Sequence, residues 1–316
     1  MSSLRKLPVL LAILLAAGAV RIPMERVLSK ELHAQRLLNK PLSIDARDKI
    51  GQTSYAVALG GLRTLVATFI NLRAYTAFTE LRWADLADNY NTAVDLAPHT
   101  RYYWESGAWH LGTNAATSSK LDESLPKLRR NELWRAYIYQ GRAFLERGIR
   151  NNPDDWSMQY DLGMMLANPF KAEAFPDRSA AYAAAADAYE AAARSSNAPS
   201  FVARNWFYAV ARIPGREAQA LAIGEKLYED DRRNRTPTLR GLIFVLRMHA
   251  DPTRDPHKLL SELFSSDENA YFSLSALWLD SKDEYPVDGI AAVLPSLESR
   301  LSIPWEKSAL NPSNRR

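Results

Sequence analysis

The sequence predicts an all-α protein, an irregular right-handed solenoid of helical hairpins behind an N-terminal apolar signal or anchor helix. Three observations lead there. Apolar residues recur at three- and four-residue steps through much of the chain, glycine is scarce at 13 of 316 residues, and one spaced pattern ending in proline recurs along the chain.

That pattern is clearest from Trp83 to Gly112. Trp83, Leu86, Tyr90, Ala93, Val94 and Leu96 recur mostly at three- and four-residue steps and so fall on one helical face. Pro98 stops the helix, because its ring cannot sit inside one and it biases Ala97 away from helical dihedrals. The chain can restart at His99 or Thr100, the latter a natural N-cap. Trp104, Ala108 and Leu111 share a face of the next helix, with Gly107 beside Ala108 to let a neighbour come close. The intervals of Tyr90, Ala93 and Pro98 recur in full at Leu145, Gly148 and Pro153, and loosely at Tyr189, Ala192 and Pro199.

Residues 1–21 read as a signal peptide or membrane anchor. Arg5 and Lys6 precede an apolar run from Leu7 to Val20, closed by Arg21. The run is short beside the ~20 residues a spanning helix needs. Ala17-Gly18-Ala19 offers a small-x-small cleavage site, so a cleaved signal and an uncleaved anchor both stand, beside the plainer alternative of a buried N-terminal helix. As signal or anchor, its positive flank stays in the cytoplasm and the rest crosses. Residues 22–48 form an amphipathic helix, with Met24, Val27, Leu28, Leu32, Leu37 and Leu38, and then a linker at Lys40-Pro41. Capping the solenoid suits this helix better than lying on a membrane, since its face is poor in aromatics and lysine.

The solenoid is expected over residues 49–250. Tyr55 to Leu72 carries a stripe of Leu59, Leu62, Val66, Phe69 and Ile70, interrupted by Gly60-Gly61, Arg63 and Asn71, and reads as a buried scaffold helix. Insertions fall at Thr117 to Leu133, around Pro126, and at Asn168 to Asp177, around Pro169 and Pro176. Asp154 and Asp155 follow a helix-breaking proline and read as caps for the next helix. An alanine-rich helix, the segment FVARNWFYAVAR and a helix from Arg216 to Glu229 follow. Residues 251–303 supply shorter C-terminal helices, and 304–316 read as a frayed tail.

Composition excludes several functions. With a net charge of +4 and pI near 9.1, acidic and basic residues nearly balance and no concentrated basic face is expected, so nucleic acid is not a predicted partner. The chain has no cysteine, which rules out disulfides, thiol catalysis and cysteine-bound metal. Its five histidines include no pair spaced to share a metal, and it has no phosphate loop, GxSxG elbow or GxGxxG turn. No catalytic residue, cofactor or metal is therefore expected.

The spacing of aromatic, small residue and proline, followed by Trp104, a small pair and Leu111, resembles the tetratricopeptide (TPR) repeat. Residues 55–165, with WADLADNY, LAP and RGIRNNPDDW, more loosely resemble poorly characterised membrane-anchored bacterial envelope proteins. Such a repeat cannot bury its face alone and must stack. In TPR-like arrays the first helix of each pair lines a groove that holds peptides or proteins. The resemblance implies that Tyr102, Glu105, Trp109, Tyr160 and Met164 bind the partner, Trp and Tyr being favoured anchors.

These readings make the chain a non-enzymatic scaffold or adaptor for a protein or peptide at the bacterial cell envelope. It would be held at the cytoplasmic membrane with its solenoid facing the periplasm or exterior, or be secreted or periplasmic after cleavage. Two alternatives stand beside it. An envelope glycan-processing enzyme on a helical-repeat frame requires a pocket carboxylate with a raised pKa, and a small-ligand-binding solenoid requires a closed apolar pocket near Pro126 or Pro169.

Overall fold

The computed structural model describes residues 62–314, and the described residues are all helix and connecting turn. The expected anchor of residues 1–21 and the amphipathic helix and linker of 22–48 lie outside them. The chain divides into two compact units, Met1–Gly107 and Ala108–Arg316.

In the first unit, α1 (Arg63–Thr79) packs against α2 (Trp83–Leu96), and α3 (Arg101–Trp109) begins after the Pro98 turn. The turn between α1 and α2 closes with the Arg82 N–H donating to the Ala77 carbonyl at 2.8 Å, while Leu81 takes a left-handed φ of 56°. That is the helix-ending geometry glycine usually supplies. On α2 the predicted face is buried at Leu86, Tyr90, Ala93, Val94 and Leu96, while Trp83 in the first turn is only half-buried. Trp104 is also buried, and its indole N–H donates to the Pro98 carbonyl at 2.8 Å, which staples the turn. Burial pushes the Tyr90 phenol up to about 12.

Helix α1 departs from the expected buried stripe. Ala67, Ala74 and Ala77 are buried, whereas Leu62 and Phe69 are exposed and Val66 and Ile70 only half-buried. Small side chains permit the close approach to α2, so the alanines took the interface and the large apolar groups were left outside.

The second unit opens in a π-helical turn, His110–Ala115, which runs into α4 (Ala116–Leu121) and is packed by the long α5 (Lys127–Asn151). Then come α6 (Trp156–Ala167), the one-turn α7 (Pro169–Ala172), α8 (Arg178–Ala193), α9 (Ser200–Val210), α10 (Glu217–Asp230) and α11 (Pro237–Ala250). Three more helices complete it, α12 (Pro256–Leu263), α13 (Asp267–Asp280) and α14 (Ile290–Arg300). Contacts run mostly between neighbours in sequence: α5 with α6, α8 with α6 and α9, α10 with α9 and α11, α13 with α11 and α14.

Glycines mark the tightest of these contacts. A Cβ at Gly163 would stand 2.6 Å from the Tyr189 ring, and one at Gly224 would stand 2.7 Å from the Phe207 ring. The small positions Gly148 and Ala192 of the recurring pattern are buried, as Ala93 is in the first unit. Asp155 caps α6 as expected, accepting from the Ser157 N–H at 3.0 Å. Asn168 and Asp177 do the same for α7 and α8, so the predicted insertion there is an ordered helical turn.

The C-terminal stretch is not frayed over its described residues. Ser308 and Ala309 are buried, and the carboxylate of buried Glu298 accepts from the Ser308 hydroxyl at 2.7 Å, the Ala309 N–H at 2.8 Å and the Tyr271 hydroxyl at 3.2 Å. A buried carboxylate needs such donors, and the tail supplies two of them.

Candidate functional site

Of the five residues expected to bind a partner, Tyr102 and Glu105 belong to the first unit and Trp109, Tyr160 and Met164 to the second. Tyr102, Trp109 and Met164 are exposed. Glu105 and Tyr160 correct the expectation of a free outer flank. Glu105 is half-buried and accepts from Arg101 at 2.9 Å one turn earlier, while the Tyr160 ring sits 5.3 Å from Phe201 and 5.5 Å from Tyr189 and serves packing between α6, α8 and α9.

Trp109 has a neighbour that periodicity did not single out. Lys171, on the one-turn α7, is only 9% exposed. Asn168 and Pro169 start that turn and aim it back at the π-helical turn, where the Lys171 ammonium donates to the Thr113 hydroxyl at 2.7 Å. The ammonium also lies 5.6 Å from the centre of the Trp109 ring, which is itself 56% exposed. Lys171 makes no ion pair among the described residues, and burial lowers its pKa. A π turn widens the helix by one residue and often marks a functional position.

The next residues extend this surface. Phe170 is exposed and packs edge-on against buried Trp134 at 5.5 Å, and the Lys120 ammonium lies 4.2 Å from the centre of the Trp134 ring while donating to the Asn131 amide oxygen at 2.7 Å. Among the described residues neither ammonium has a carboxylate partner: Lys171 stands beside Trp109 and Lys120 beside Trp134. Aromatic faces attract cations but do not neutralise them, so an incoming carboxylate would meet uncompensated positive charge beside apolar area.

A second polar cluster has a different character. Glu284 accepts from Arg212 at 3.0 Å and Arg178 at 3.4 Å, and the Arg212 guanidinium stacks 4.5 Å from the Tyr285 ring and 5.3 Å from the Tyr182 ring. These residues line a cleft of about 410 Å³ whose rim also carries Glu217 and Asp283. Glu284 is satisfied by the two arginines, and neither Pro126 nor Pro169 lines the cleft. The pairing ties the loop before α14 to α8 and α9.

Among the described residues the carboxylates that leave their ordinary range, Glu217, Asp231, Asp251, Asp267 and Glu268, all go down, each chiefly through a hydrogen bond to its ionised form. No group of three His, Asp or Glu side chains there could hold a metal ion, and no helix there is long and apolar enough to cross a membrane.

Lys171 and Thr113 are 58 residues apart in sequence, and nothing in either segment announces the other. The one sequence signal was Trp109. No protein family, curated protein or solved structure matches the chain.

Proposed function

We propose that the chain is a non-enzymatic scaffold or adaptor that holds a protein or peptide partner at the bacterial cell envelope. The observation that carries this reading is the exposed Trp109 ring beside the buried, carboxylate-free Lys171 ammonium. Tryptophan beside a cation is the composition of an interface anchor, where apolar area supplies affinity and the charge selects a partner offering a carboxylate. The favoured partner is a segment with an acidic side chain next to an apolar one.

The finer fold reading, a right-handed TPR-like solenoid, belongs to this proposal. Its support is the recurring spacing and the burial of Ala93, Gly148 and Ala192 at the small position. Attachment to the cytoplasmic membrane rests on Arg5, Lys6 and the apolar run to Val20, with the rest of the chain on the outer side.

The test is affinity purification from native membranes with wild-type chain and with Trp109→Ala and Lys171→Met. A protein captured by wild type and lost from both variants, with helicity unchanged, is the expected result. A hot-spot tryptophan is worth about 2 kcal/mol or more, roughly thirtyfold in affinity. Equal capture by all three chains would move the binding site elsewhere.

A further inference from the structure

We propose that the outward face of α1 rests on the surface of an anionic lipid bilayer, so that the first unit lies along the membrane. Helix α1 carries apolar residues on two sides, with the larger ones turned outward. Its alanines face α2, while Leu65, Phe69, Leu72 and Tyr75 are 51%, 59%, 56% and 63% exposed and step along one side at intervals of four, three and three residues. Leaving so much large apolar surface in water is unfavourable, and a contiguous strip of it marks a contact surface.

Charge favours lipid as the occupant. The sequence of α1 contains no carboxylate; of its two arginines, half-buried Arg63 donates to the Asp95 carbonyl at 3.0 Å, and exposed Arg73 makes no ion pair among the described residues. An acid-free helix with an exposed apolar face and an exposed arginine suits anionic headgroups. The polar groups of this surface also tolerate an interface. Thr68 donates to the Thr64 carbonyl at 3.0 Å and Thr79 to the Thr76 carbonyl at 2.9 Å, so their hydroxyls demand nothing from outside. Helix α1 has 17 residues and is not apolar enough to cross, so it lies on the bilayer instead. The inference rests on the membrane attachment proposed above for the direction of approach, and it is independent of Trp109 and Lys171.

The chain has no cysteine, which makes a single-label experiment clean. Phe69→Cys, Tyr75→Cys and, as a control on the exposed side of α10, Lys226→Cys are each labelled with an environment-sensitive fluorophore in the full chain. Each is mixed with vesicles of phosphatidylcholine and phosphatidylglycerol, or of phosphatidylcholine alone, carrying nitroxide-labelled lipid. Labels at 69 and 75 are expected to shift to the blue and be quenched in the anionic vesicles, less in the neutral ones, with the label at 226 unaffected.

Chain that sediments with vesicles while labels 69 and 75 stay unquenched leaves membrane attachment standing and overturns the role of α1. A blue-shifted, unquenched label before vesicles are added also overturns it, and points to cover by residues 22–39 or by a second copy. Chain that does not sediment at all removes both.

Discussion

Gly112 and Gly141 meet backbone to backbone: a Cβ built on Gly141 would stand 2.8 Å from both the Cα and the N of Gly112 and 2.9 Å from the Ala108 carbonyl oxygen. No flexible side chain can give way there. Gly141→Ala is therefore expected to push α5 off the π-helical turn and lower stability by about 1–3 kcal/mol. Thermal unfolding followed by circular dichroism reads this directly, and an unchanged melting temperature would show that the contact is not as close as described. Because Thr113 and Trp109 belong to the same turn region, the variant should also weaken partner capture.

Leu81 predicts a change of the opposite sign. It holds a left-handed φ of 56° while 60% exposed, so it bears backbone strain without contributing much burial. Leu81→Gly is expected to raise stability by up to about 1 kcal/mol, since glycine adopts this conformation without the Cβ clash. Chemical denaturation gives the midpoint, and a lower midpoint would mean that Leu81 packs against something outside the described residues.

Lys171 makes stability depend on pH. Burial lowers its pKa in the folded chain below the ordinary value of 10.5. Between the two values the unfolded chain binds more protons, so stability rises with pH across that window and the cost of burying the charge is fully present below it. Lys171→Met should be more stable than wild type at neutral pH, and the difference should shrink as pH climbs through the folded pKa towards 10.5. The comparison between the two chains cancels the titration of the tyrosines and other lysines. A difference independent of pH would mean that the ammonium is not desolvated.

The tail depends on Glu298. Replacing it by Ala leaves the Ser308 hydroxyl buried without its acceptor, at about 1–3 kcal/mol, and the Ala309 N–H with only the Tyr271 hydroxyl at 3.3 Å to donate to. Hydrogen exchange at the Ala309 amide should accelerate sharply in Glu298→Ala, and proteolysis should nick residues 304–314 first. Protection equal to that of wild type would show that apolar packing alone holds the tail.

The helices of the Trp83 to Gly112 stretch and the cap at Asp155 were legible because capping, proline stops and face periodicity are local. The faces of α1 were misread for a physical reason. Periodicity gives most weight to the largest apolar residues, but close packing on α2 selected Ala67, Ala74 and Ala77. Tyr160 was legible as an aromatic on a helix but not as one enclosed by Tyr189 and Phe201, which arrive from two other helices.

By itself the sequence determined the helical class, the extent of α2 from Trp83 to Leu96 and the lack of thiol chemistry, since each depends on residue type and on neighbours within a few positions. Only the tertiary structure decided which side of α1 faces outward, how Gly112 meets Gly141, and that Lys171 is buried beside Trp109. Those are contacts between segments far apart in the chain, and their energies depend on distance and on exclusion of water, which appear only once the helices have packed.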